Sequence, residues 1–317
     1  MKTSLIMTVY NEEKTIKDQV KSILNQTKIP DEIIILDSKS KDNTAKIIKS
    51  FKNKRIKLIE KKADIGTARN ICIKKAKNEV ILVTDGGCLL DKNWVYEISK
   101  PFENKNIDVV GGIFSPISKN FFEKCQGVIV CKSAEEIDEK KWLPSSRSFA
   151  FRKKVWVEVG GYPKHEIGGE DTRFVFNIIE KGYKIVITKK AVVYWRMRSP
   201  LKNFNRQFYL YAKGEVRTGN LAFPQRRVVL IATILFPVYI FTLFLSLILA
   251  TNIFFMLALI PFLYFFYKGI RVAIKVKDIR GTYYGFLFSF LKRTMYFLGI
   301  WVELLSPKKD TYRNENY

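Results

Sequence analysis

Two carboxylates, Glu170 and Asp171, follow the glycine pair Gly168-Gly169 and open a segment in which Phe174, Ile178 and Ile179 recur at helical spacing. That pattern puts acid groups on a flexible turn at a helix N-terminus, where unpaired backbone N–H groups and the macrodipole favour negative charge. Far upstream, Asp85 ends an apolar run in Val83-Thr84-Asp85-Gly86-Gly87-Cys88. Two separated acid sites in one α/β domain point to divided chemistry, in which one attends a leaving group and the other an attacking group. Asp37 closes a second apolar run, and at a strand end its carboxylate can accept a hydrogen bond from a ring N–H, which uracil and guanine offer and adenine lacks. Ser40, Asp42 and Thr44 have turn and cap chemistry and are read as shaping the loop. Gly66 precedes a helix with Arg69 in its first turn, from which a guanidinium can reach phosphate.

Asp85 is also the candidate ligand for a divalent cation bridging a diphosphate. Gly86 and Gly87 bring no side chain to such an ion, so the candidate distant ligand is His165, the only histidine. Asp91 is read as a helix cap. No GxGxxG or GxxxxGK[ST] occurs, which removes the dinucleotide and P-loop readings. Four cysteines without CxxC spacing exclude a zinc site and read as reduced, buried thiols.

These residues need a scaffold. Over residues 1–113, apolar runs at Leu5–Val9, Glu32–Leu36, Ile56–Ile59, Val80–Val83 and Val109–Gly112 alternate with helical periodicity at Lys14–Asn25, Thr44–Phe51, Thr67–Ala76 and Lys92–Phe102. The alternation predicts a parallel sheet covered on both faces, with ligands beyond the carboxyl ends of its strands. Tyr10, Asp37 and Asp85 all fall there. Further on, Asn120–Val130 and Arg152–Val159 read as helical, and Ser146–Phe151 and Lys184–Trp195 as extended.

From Pro200 the character changes. In Leu201–Arg217, Leu201, Phe204, Phe208, Tyr211 and Ala212 share one helical face, with Lys202, Arg206, Lys213 and Arg217 on another, as in a membrane-surface helix. Val228–Leu249 carries no charge over 22 residues, and Ile253–Tyr267 is uncharged over 15. With Arg226 and Arg227 before them and Lys268, Arg271, Lys275, Lys277 and Arg280 after, they read as a transmembrane hairpin with both ends cytoplasmic. Tyr283–Leu305, interrupted by Lys292, Arg293 and Glu303, is expected to be interfacial. The resulting division is 1–199 catalytic, 200–227 interfacial helix and linker, 228–267 hairpin, and 268–317 basic loop, apolar segment and polar tail. The N-terminal apolar run is too short for a signal peptide, so a multi-pass protein of the cell membrane is expected, its first domain on the cytoplasmic side. The 55 Lys and Arg against 30 Asp and Glu give a net charge of +25, suited to phosphorylated substrates, anionic membranes or nucleic acid.

Taken in order, Thr8-Val9-Tyr10-Asn11-Glu12-Glu13, then Asp37-Ser38-Lys39-Ser40-Lys41-Asp42-Asn43-Thr44, Gly66-Thr67-Ala68-Arg69-Asn70, Thr84-Asp85 and Gly168-Gly169-Glu170-Asp171 resemble the motifs of the family 2 glycosyltransferases. The resemblance runs over residues 3–199 and implies an inverting enzyme of the GT-A type, an α/β domain with a mostly parallel sheet flanked by helices. It implies a donor nucleotide surrounded by Thr8, Tyr10, Glu12, Asp37, Gly66 and Arg69, with Asp85 near ribose and diphosphate. It makes Asp171 the catalytic base, with Glu170 beside it at the helix start. Arg147, Phe151 and Arg152 resemble the acceptor-side segment, and Trp195 is expected to line the site with them. The implied cofactor is Mg2+ or Mn2+, although Gly87 stands where the family carries its second acid. The Gln-any-any-Arg-Trp signature of processive synthases is missing, which favours transfer of a single sugar from a nucleoside-diphosphate sugar to a lipid-linked acceptor. A nucleotidyltransferase is the rival enzyme, though its Gly-rich basic loop is lacking. A basic membrane-bound nucleic-acid-binding protein is the rival without catalysis, and no nucleic-acid partner is expected.

Overall fold

The computed structural model describes residues 1–164, 168–223, 227–249 and 252–306, and these divide into two compact units. The first comprises residues 1–115 and 133–196. Its strands are β1 (Thr3–Val9), β2 (Glu32–Asp37), β3 (Ile56–Glu60), β4 (Val80–Asp85), β5 (Cys88–Leu90), β6 (Val109–Ile117), β7 (Phe149–Arg152) and β8 (Ile185–Arg196). Its helices are α1 (Ile16–Leu24), α2 (Thr44–Ser50), α3 (Ile65–Lys75), α4 (Trp94–Ser99), α6 (Lys153–Glu158) and α7 (Glu170–Glu180), α5 (Phe121–Val130) belonging to the second unit.

All eight strands form one sheet in the order β3-β2-β1-β4-β7-β6-β8-β5. The first four are parallel, and every residue of β1 is buried, as a strand covered on both faces requires. Beyond β4 the sheet departs from expectation: β7 runs antiparallel to β4, β6 antiparallel to β7, and β5 antiparallel to β8. Val109–Gly112 therefore does not extend the parallel set. An apolar run shows that a strand is buried, not which way its neighbour runs.

The register lines up the carboxyl ends. Thr8 pairs with Asp85 and Val9 with Asp37, so Tyr10, Asp37 and Asp85 meet at one edge, as expected. On one sheet face Ile6, Ile34, Leu36, Ile81 and Val83 alternate into a core shared with Ala68, Cys72, Phe149, Phe151 and Phe174. Asp64 caps α3 by accepting from the N–H of Thr67 at 2.8 Å, which fixes where Arg69 leaves the helix.

The second unit comprises Pro116–Lys132 and the chain from Met197. Its helices are α5, α8 (Leu201–Arg217), α9 (Arg227–Leu249), α10 (Asn252–Val276) and α11 (Arg280–Leu305). The apolar face of α8 does not lie free for a membrane surface: Phe204 and Phe208 are buried with Cys125, Val272, Val276 and Phe288, and the rings of Phe204 and Phe288 stand 4.9 Å apart. Its basic flank is used too, Arg217 Nε donating to Glu303 at 2.7 Å and Lys213 standing 3.2 Å from the same carboxylate. The stretch Tyr283–Leu305, expected at an interface, is accordingly most of a packed helix, α11, with Phe288, Ile300 and Glu303 buried.

Helices α9 and α10 occupy the place of the expected hairpin. Among the described residues, no helix is long and apolar enough to cross a membrane, so the spanning hairpin is not borne out. Several side chains of both stretches lie outside those described, as do Arg226 and the polar tail beyond residue 306.

Candidate active site

The loops after β1 and β2 are laced together. The backbone N–H of Asn11 donates to Ser40 Oγ at 2.9 Å, that of Glu12 to Thr44 Oγ1 at 2.8 Å, and that of Glu13 to Asp42 Oδ2 at 3.0 Å. In return the N–H of Lys41 donates to Asn11 Oδ1 at 2.8 Å. Ser40, Asp42 and Thr44 thus shape the loop, as their residue types indicated. Asp37 is only 1% exposed, and its Oδ1 accepts from both the N–H and the hydroxyl of Ser40. It lies at the expected strand end, with one carboxylate oxygen committed to the turn.

Arg69 is the centre of the site. Its Nη1 donates to Glu170 Oε1 and its Nη2 to Asp85 Oδ1, each at 2.6 Å, and the residue is 2% exposed. One guanidinium thereby ties the acid at the end of β4 to the acid at the start of α7. Burial opposes its charge, but Asp85 and Glu170 outweigh that and raise its pKa further. Arg69 thus stands in α3 at the place its spacing indicated, with both terminal nitrogens on carboxylates.

Residues that carried no sequence signal of this role hold Arg69 from the other side. Its Cζ lies 5.1 Å from the Tyr162 ring centroid, Tyr162 stacks on Phe174 at 4.0 Å, and its hydroxyl is 3.0 Å from Ser146 Oγ. Asn70 clamps the same segment, donating to the Tyr162 carbonyl at 2.8 Å and accepting its N–H at 2.9 Å. Gly66, expected beside the donor, packs against this segment: a Cβ there would fall 1.9 Å from the Pro163 carbonyl oxygen, so only glycine allows the approach.

Glu170 and Asp171 are the first two residues of α7, behind Gly169 at φ +79. Glu170 is buried, and that burial pushes its carboxyl up to about 7, with Arg69 pulling the other way and Asp171 adding to the rise. Asp171 is half-buried, and its Oδ1 accepts the N–H of Thr172 at 2.8 Å.

At the end of β4, the side chain of Gln19 reads both sides of the turn. Its Nε2 donates to the Asp85 carbonyl at 2.6 Å, and its Oε1 accepts the N–H of Gly87 at 2.9 Å. Sequence reading passed over Gln19. Its signal was a polar residue on the buried face of α1, beside Ile16, Val20 and Ile23. Gly87 has φ +75, and a Cβ added to it would lie 3.2 Å from Glu12 Oε2. The Glu12 carboxylate therefore stands where a side chain at 87 would project, and Thr8 is the strand residue beside it. For the implied Mg2+ or Mn2+ the fit is poor. One oxygen of Asp85 is on Arg69, Gly87 offers nothing, and among the described residues no three His, Cys, Asp or Glu converge. His165 lies outside the described residues.

The expected acceptor side splits. Arg147 stands over Trp195, Cζ 4.1 Å from the ring centroid, with Nη1 donating to Ser145 Oγ at 3.3 Å, and Trp195 pairs with Cys88 just beyond Asp85. Arg152 pairs instead with Val80, at the opposite end of β4, and its guanidinium is committed to Glu79 at 2.9 Å and to the Ile107 and Phe102 carbonyls. It braces the far edge of the sheet, and Phe151 beside it is core. Asp91, expected to cap the next helix, does not: Asn93 holds the N-cap position of α4 without a side-chain cap bond, and Asp91 Oδ1 accepts the Asn93 N–H at 3.0 Å in the turn before it.

Comparisons with known proteins agree with this architecture. Residues 4–156 match the family Glycosyl transferase family 2. The chain is 30% identical over 226 residues to the O-antigen chain rhamnosyltransferase RfbN of Salmonella typhimurium, covering 66% of this chain and 71% of that protein. It is 33% identical over 124 residues to the UDP-Glc:alpha-D-GlcNAc-diphosphoundecaprenol beta-1,3-glucosyltransferase WfgD of Escherichia coli, covering 37% of this chain and 47% of that protein. The solved structure of the mannosyltransferase PcManGT from Pyrobaculum calidifontis, in complex with GDP-Man and Mn2+, superposes with a TM-score of 0.68 at 17% identity, over 97% of this chain and 88% of that one.

Proposed function

The chain belongs to glycosyl transferase family 2, a nucleotide-sugar-dependent glycosyltransferase with the GT-A fold, and from that membership we propose that it moves one sugar, with inversion, onto a hydroxyl of a lipid-linked acceptor during surface-polysaccharide assembly. The observation that carries the reading is the Arg69 bridge, which fixes the acid at the donor end of β4 to the acid pair at the start of α7. The acceptor oxygen attacks the anomeric carbon in line as the bond from that carbon to the diphosphate oxygen breaks. Asp171 takes the acceptor proton, and the nucleoside diphosphate leaves. Glu170, held by Arg69, fixes the first turn of α7 and so the position of Asp171. Tyr10, Glu12 and Asp37 line the nucleotide end, and a uracil or guanine ring N–H suits Asp37.

The lipid-linked acceptor and the membrane setting are supported by exposed apolar side chains along α9 and α10, among them Leu235, Phe241, Phe244, Met256, Ile260 and Phe262. The carbohydrate acceptor named for WfgD is itself attached to diphosphoundecaprenol.

The test is Asp171→Asn assayed in membranes with labelled nucleotide-sugars and organic extraction. Label moving into solvent in the wild type identifies donor and acceptor together. Turnover should fall by about 100- to 10,000-fold in the variant, the usual worth of a general base. Substantial retained transfer would remove the base role, as an already ionised phosphate acceptor would require.

A further inference from the structure

We propose that Tyr162 is a positioning residue for the transfer, setting where Asp171 stands against the donor end of β4 through its ring on Phe174 and its hydroxyl on Ser146. The inference rests on the reading of Asp171 as the base and adds the group that places it.

Tyr162 is 1% exposed in a core shared with Phe149, Phe151, Phe174 and Ile178, where phenylalanine would supply the same apolar surface. A hydroxyl buried there is costly unless bonded, and this one is: it is hydrogen-bonded at 3.0 Å to Ser146 Oγ, itself 1% exposed. Burial pushes the pKa of the phenol up, so its proton stays in place at every working pH. The pair fixes where the ring lies, which packing alone would leave looser. Ser146 leads into β7, whose Phe149 pairs with Val83 of β4, two residues before Asp85.

The Tyr162 backbone is held from α3. Asn70, the residue after Arg69, donates Nδ2 to the Tyr162 carbonyl at 2.8 Å and accepts its N–H on Oδ1 at 2.9 Å. Trp156 Nε1 donates to the same Oδ1 at 2.8 Å. The ring then meets α7. Phe174 stacks on it with centroids 4.0 Å apart and planes at 23°. Phe174 follows Asp171 by three positions and Glu170 by four, the spacings that share one flank of a helix. The start of α7 is thus gripped twice, at Glu170 by Arg69 at 2.6 Å and one turn later by Tyr162, and both grips trace back to α3. A single ion pair leaves a helix free to roll about its axis. Two grips a turn apart fix that roll, and with it the direction in which Asp171 leaves the helix.

The experiment follows labelled sugar transfer in membranes, from the nucleotide-sugar that the wild type uses, over a range of donor concentrations. Tyr162→Phe keeps the stack and loses the hydroxyl pair, so kcat should fall by about 3- to 10-fold, as loss of one hydrogen bond does, with donor KM unchanged. Ser146→Ala should reproduce that fall with the ring intact. The double variant should be no slower than either single one, because both remove the same bond. Tyr162→Leu loses the stack as well and should cost about 100-fold, as a misplacement of about 1 Å does, and Tyr162→Phe therefore recovers most of that loss. A residue that only filled the core would lower Tm and leave turnover alone. Wild-type kcat in Tyr162→Phe or in Ser146→Ala, or falls that multiply in the double variant, would overturn the proposal. Ser146→Ala removes one oxygen, so it decides even where the Tyr162 variants fail to fold. Asp171→Asn separates the two readings: an inactive Asp171→Asn beside a Tyr162→Phe enzyme at wild-type rate overturns the Tyr162 assignment alone, whereas full transfer by Asp171→Asn overturns the base reading itself.

Discussion

Replacing Arg69 by Met keeps much of the side-chain volume and removes the charge, which leaves Glu170 buried without its partner and Asp85 without its anchor. The two losses are unequal. The Asp85 side chain is 20% exposed and water can take over part of its solvation, whereas Glu170 is 5% exposed and cannot be solvated that way. Breaking a buried pair from one side costs about 3–5 kcal/mol; most of that falls on Glu170, so about 3 kcal/mol is expected. For a domain of this size each kcal/mol moves the midpoint by about 2–4 °C, giving a fall of about 6–12 °C in Tm. The assay is thermal unfolding of the detergent-solubilised chain at pH 8, where the wild-type Glu170 is ionised. The decisive comparison is Arg69→Met/Glu170→Met, which removes the stranded charge and should regain more than half of the lost Tm while remaining inactive. A single variant that melts with the wild type, or a double variant that melts no higher than the single one, would refute the view of Arg69 as a bridge. Donor binding gives a second readout, because a positioning residue should lose turnover by a larger factor than it loses nucleotide affinity.

Other outcomes follow from the same geometry. The Glu170 carboxyl is raised to about 7 in the folded chain from an ordinary 4.5, so its neutral form favours folding; that contribution is full below 4.5 and is lost as pH rises through about 7. The Tm of Glu170→Gln should therefore gain on that of the wild type between pH 5 and pH 8, and a constant gap would contradict the assignment. Gln19→Leu leaves the Gly87 N–H without its acceptor and should cost about 1–3 kcal/mol in denaturant unfolding together with a loss of donor affinity; unchanged affinity would detach Gln19 from the site. Glu303→Gln strands Lys213 and Arg217 against a neutral amide and should lower Tm by several degrees, while an unaltered melt would mean the cluster adds nothing to the packing of α8 on α11.

The parallel half of the sheet was legible because β1, β2 and β4 are built on apolar runs that lead into polar residues. The period of the pattern and the turn chemistry after each strand agreed, so Asp37 and Asp85 reached the correct edge. The three-residue β5 is too short for any period to register, and with it went the pairing that brings Trp195 to the turn. The partners of Arg69 lie 16 and 101 positions away, a separation no local pattern encodes. Arg152 sits in a motif-like segment, yet antiparallel entry of β7 sends it to the wrong end of β4. In α8 the amphipathic period was read correctly, but an apolar face looks the same whether lipid or protein covers it. Phe288 of α11 supplied the cover.

The lacing of the Tyr10–Glu13 loop to the Ser38–Thr44 loop has a consequence for selectivity. Four backbone N–H groups are already spent on side chains of the opposite loop, so the proposed nucleotide end of the site is built before any ligand arrives. A donor that fits then loses little binding energy to ordering the protein. A purine or pyrimidine of the wrong outline cannot be accommodated by loop adjustment without breaking that lattice, at about 1 kcal/mol for each bond. On the proposed donor reading, choice among nucleotides falls to a rigid gauge, which leaves the sugar and acceptor ends as the places where related chains can diverge.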